Sequence, residues 1–75
     1  MENYFKEKRE LLWKALKLLN EMENAYDMYN ADFNDFKEAD DLGFSMTADK
    51  MLEKLQVSRE IYYNRKNTFE QFITK

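Results

Sequence analysis

The chain has 75 residues, with 12 lysines and arginines against 15 aspartates and glutamates, and neither cysteine nor histidine. That composition allows one domain at most. It excludes disulfides and thiolate or imidazole metal sites, and it removes the commonest general base and the most reactive nucleophile from any catalytic scheme. A chain this short buries only ~60% of its unfolded surface, so a partner chain is the expected support for its fold.

The opening MENYFKEKRE is charged from its second residue and has no apolar core, which predicts no secretory signal. The longest uncharged stretch, LGFSMTA at residues 42–48, falls far short of the ~20 apolar residues of a membrane span. A cytoplasmic protein without membrane contact is the expectation. Charge is segregated along the chain: residues 1–19 carry +2, residues 20–46 carry −7 and residues 47–75 carry +2.

Helix 1 is predicted over about residues 3–40. Leu12, Ala15, Leu19, Met22, Tyr26, Tyr29, Phe33 and Phe36 alternate spacings of three and four, the pattern of a coiled-coil seam, with Phe5 before it and Lys8 as its one fault. The turn is predicted at about 41–46. Gly43, the only glycine in a chain without proline, can adopt the left-handed conformation that ends a helix. Thr47 is the predicted N-cap of the next helix, with Met46 and Met51 as a hydrophobic staple and Ser45 as a competing cap. Helix 2, about 47–74, repeats the alternation through Ala48, Met51, Leu55, Ser58, Tyr62, Arg65, Phe69 and Phe72, with Phe44 before it.

Folding the second series back on the first predicts layers from Phe36/Ala48 at the bend, through Tyr29/Leu55, Tyr26/Ser58 and Met22/Tyr62, to Leu12/Phe72. Large rings then face small residues in several layers, as an evenly filled core requires. The predicted fold is all-α: an antiparallel two-helix hairpin, coiled-coil-like, assembling as a dimer into a four-helix bundle.

The same glycine admits another reading. Ala39, Leu42 and Gly43 have the A-x-x-L-G spacing that opens a helix-turn-helix, and KLQVSREIYYNRK (54–66) resembles the V-S-R-x-x-I-Y element of bacterial DNA-binding domains. That resemblance implies a DNA-binding transcriptional regulator. Against it, Asp49 stands where the motif packs an apolar residue, Gln56 replaces its usual glycine, and Ile61 comes one residue early. Only Lys54, Arg59, Arg65 and Lys66 supply the cations that phosphate binding requires, so nucleic acid is not the expected partner. The hairpin layout is also similar to small secreted proteins with a W-x-G turn, but this turn is D-L-G and Trp13 lies mid-helix.

No cofactor or metal is expected. Asp32, Asn34, Asp35, Glu38, Asp40 and Asp41 lack the central glycine and closing glutamate of a calcium loop, and the Glu-x-x-His pairs of a di-iron site cannot form without histidine. The surface signals point to proteins. ELLWKALKLL (10–19) is too apolar for one seam: Leu11 and Leu18 widen the stripe on one side, Trp13 and Leu16 on the other, and Leu52, Ile61 and Ile73 do the same on helix 2. A stripe that wide predicts a self-association or partner interface. At the bend, Asp27, Asp32, Asp35, Glu38, Asp40 and Asp41 surround Phe44 and Met46, a charged rim around apolar anchors that could recognise a basic partner surface. The functional expectation is a non-enzymatic protein-interaction module: an adaptor, regulator or inhibitor of the kind phages and mobile elements encode, acting by occupying a partner's surface.

Overall fold

The computed structural model describes residues 2–74. Two helices account for nearly all of them, α1 over Glu2–Asp41 and α2 over Ser45–Ile73, packed side by side as an antiparallel hairpin measuring 63 × 15 × 13 Å. The bend therefore returns α2 along α1, whereas a helix-turn-helix crosses its helices at ~90–120°. At 40 residues against 29, α1 is longer by 11. Since Lys14 at one end of the seam already meets Phe72, the first turns of α1 project past Ile73 by about 17 Å at ~1.5 Å per residue.

The bend is a Schellman closure. Phe44 N–H donates to the Ala39 carbonyl at 3.0 Å and Gly43 N–H to the Asp40 carbonyl at 3.1 Å, and Gly43 takes φ 77°, as its sequence position predicts. This closure delivers the chain into helical geometry sooner than expected. The N-cap is Phe44, whose carbonyl accepts from Ala48 N–H at 2.7 Å, with no side-chain cap. Thr47 lies inside the first turn, and Met46 is exposed instead of stapled to Met51.

On α2 the expected seam is the observed one: Ala48, Leu55 and Ser58 are buried, and Met51, Tyr62, Phe69 and Phe72 are half-buried. Only its first residue and one later position differ. Phe44 is exposed, and Arg65 turns outward to Glu21 at 3.8 Å, while Lys66 is half-buried beside it. On α1 the seam is turned about its axis. Ala15, Met22, Tyr29 and Phe36 face inward as expected, but their partners in the seam are Leu18, Ala25, Asp32 and Ala39. The other half of the expected seam, Leu12, Leu19, Tyr26 and Phe33, is exposed. The layers shift accordingly: Tyr62 packs its ring against Tyr26 and Tyr29, at centroid distances of 5.3 and 5.9 Å, and Ser58 meets Asp32 instead of Tyr26.

Two helices of this shape bury little. The accessible surface is 6458 Å², against roughly 4,900 Å² for a compact monomer of 9.2 kDa and about 13,000 Å² for its unfolded chain. The radius of gyration is 17.8 Å where a compact chain of this length has about 11 Å. Among the described residues no large side chain is fully buried.

A methyl group added at Gly43 meets nothing within 4 Å, so its cost is conformational alone. Gly43→Ala is expected to lower stability by roughly 1–2 kcal/mol, the cost of a left-handed alanine, and Gly43→Asn by less. Urea denaturation followed by circular dichroism measures both, and equal stability of Gly43→Ala and wild type would contradict the closure described.

Candidate functional site

Among the described residues no group of three or more His, Cys, Asp or Glu could hold a metal ion, and no helix is long and apolar enough to cross a membrane. The candidate site considered is a surface, built from what the hairpin leaves uncovered.

Its main feature is a column on α1. Phe5, Leu12, Leu19, Tyr26 and Phe33 recur every seventh residue and are between 36% and 70% exposed. An α-helix returns to nearly the same side after two turns, so these five side chains form one stripe along the rod. The stripe borders the seam on the side where Tyr26 meets Tyr62, and Leu19, Met22, Tyr26 and Tyr62 line an open groove of about 310 Å³ there. The opposite side of the seam is more polar. It carries the Glu21–Arg65 pair and Lys14, whose ammonium lies 5.2 Å from the centre of the Phe72 ring. The ion pair is partly exposed and belongs with contacts worth ~0–1 kcal/mol.

The flank expected from the sequence is distributed differently. Trp13, Leu16 and Leu18 line a groove of about 750 Å³ together with lysines and asparagines of α1. Leu18 is half-buried in the seam, because the rotation of α1 draws its column inward. Leu11 continues that column into the projecting turns, where it is exposed. On α2, Leu52, Ile61 and Ile73 are exposed, and Ile61 borders a separate groove with Arg65 and Thr68.

At the bend, Asp27, Asp35, Glu38, Asp40 and Asp41 are exposed. Asp35 and Glu38 border an open groove of about 380 Å³ with Leu42, Phe44 and Met51. Asp32 does not belong to this rim. It is 7% exposed, accepts a hydrogen bond from Ser58 Oγ through Oδ2, and has Lys54 Nζ 3.4 Å from Oδ1. The sequence grouped it with solvated acids because its neighbours are acidic. Its partners are on the other helix, 26 residues away for Ser58.

Comparison with protein-family models, with curated proteins and with solved structures finds no match.

The Asp32 contact predicts an asymmetry. Ser58 Oγ has a second acceptor, the Lys54 carbonyl at 2.8 Å, so removing the carboxylate leaves the hydroxyl satisfied. Removing the hydroxyl leaves a buried carboxylate with Lys54 alone. Ser58→Ala is expected to cost about 1–3 kcal/mol, whereas Asp32→Leu costs less or stabilises the hairpin. Thermal melts of the two single variants and the double variant check this, and a larger loss for Asp32→Leu than for Ser58→Ala would refute it.

Proposed function

We propose that this chain is a non-enzymatic protein-interaction module, a hairpin that pairs with a second copy as a four-helix bundle and acts by covering a surface of its partner. One observation carries this reading: the isolated hairpin leaves a continuous apolar stripe in solvent while burying only about half of its unfolded surface. Monomeric soluble proteins rarely expose contiguous apolar patches of more than a few hundred Å². The stripe also stands on a scaffold suited to presenting it, two helices joined by a closed bend, and the acidic rim around Leu42 and Phe44 supplies a second, charged recognition surface at one end.

Affinity capture tests the module reading. Wild type is expected to retain a specific protein, either a second copy of itself or one cellular protein, and Leu12→Glu with Leu16→Glu is expected to lose it. Both leucines are exposed, so helix content by circular dichroism should be unchanged in the variant, and the loss would report the surface and not the fold. Retention of nucleic acid with no protein would overturn the reading. The rim is examined separately by Asp35→Lys with Asp41→Lys, expected to slow association with a basic partner most strongly at low ionic strength.

A further inference from the structure

We propose that the stripe of Phe5, Leu12, Leu19, Tyr26 and Phe33 is the seat of a second copy of this chain running antiparallel, with Leu19 of each copy meeting Leu19 of the other on a two-fold axis. The inference deepens the module reading and rests on it.

Three observations lead there. The stripe is symmetric about its middle: Leu12 and Tyr26 lie one heptad to either side of Leu19, and Phe5 and Phe33 two heptads to either side. Laid antiparallel on itself, it sets Leu12 against Tyr26 and Phe5 against Phe33, every position finding an apolar partner. A two-fold interface is self-complementary in this way.

Charge selects the direction. Between Phe5 and Phe33, the charged residues three or four positions from members of the stripe, and so beside it on the helix surface, are Lys8 and Arg9 in its first half and Glu23, which lines the groove with Leu19 and Tyr26, in its second. An antiparallel copy lays the basic half along the acidic half twice. A parallel copy lays Lys8 and Arg9 along their own copies and Glu23 along its own, which is repulsive.

Length and area agree. The projecting turns of α1 have no stretch of α2 beside them, and in the antiparallel arrangement the partner's α1 around Tyr26 and Phe33 lies there. The surface in excess of a compact monomer is about 1,500 Å², enough for the ~800 Å² per partner of a standard interface.

The chain has no cysteine, so single cysteines report the arrangement cleanly. Leu19→Cys is expected to oxidise to a covalent dimer, and Phe33→Cys alone is not. An equimolar mixture of Phe5→Cys and Phe33→Cys is expected to give the mixed dimer, which keeps the test decisive if Leu19→Cys loses helix content. Sedimentation of the wild type should show a dimer at tens of micromolar that weakens several-fold as salt is raised, as opposed charges along the contact require. Self-cross-linking of Phe33→Cys as readily as Leu19→Cys would mean a parallel pair and overturn the proposal. A wild type that stays monomeric would overturn it too; the module reading would then stand or fall on capture of a different protein through Leu12 and Leu16.

Discussion

A two-helix hairpin has a single seam, and each helix can present only two adjacent columns of side chains to it. Helix α1 has three that are largely apolar: Leu12, Leu19, Tyr26 and Phe33; Ala15, Met22, Tyr29 and Phe36; and Leu18, Ala25, Asp32 and Ala39. The middle column is always inside, and the fold must leave one of the other two in water. It leaves the larger one. Every later property, from the small buried core to the exposed stripe, follows from that choice.

The choice matches volumes across the seam. Helix α2 supplies Met51, Leu55, Tyr62, Phe69 and Phe72, which are bulky, and α1 answers with Ala15, Ala25 and Ala39. Large side chains on both sides would hold the helices apart and leave voids between them, whereas large against small fills the space. The rotation also buries Asp32, a carboxylate that is costly to desolvate alone. Ser58 and Lys54 make it tolerable. A polar pair of this kind contributes little net stability but disfavours rotations and registers that would separate it.

The excess of apolar residues on α1 thus has two destinations. Part of it is consumed in the seam, and part stands outside, next to the groove in which Tyr62 lies against Tyr26. The charge gradient along the rod gives that outer stripe a direction.

The sequence by itself determined the two helices, the left-handed glycine at their junction and the seam of α2, because these depend on local backbone preferences and on one clear apolar alternation. It could not determine which way α1 faces. The series 12–15–19–22 and 15–18–22–25 have the same alternation of three and four and share every second member, so periodicity cannot separate them. Asp32 made the wrong series look the more apolar, and Arg65 was counted into a seam that it leaves for Glu21. What resolved both was contact between residues distant in the chain: the volume that α2 presents to each position, and a serine 26 residues away placed to receive a carboxylate. The tip residues divide on the same ground. Asp35, Glu38 and Asp41 remain exposed, as their local surroundings suggest, whereas Asp32 is assigned by its tertiary neighbour alone. Local preference fixes a helix and its ends, but its rotation is fixed only by the surface it packs against.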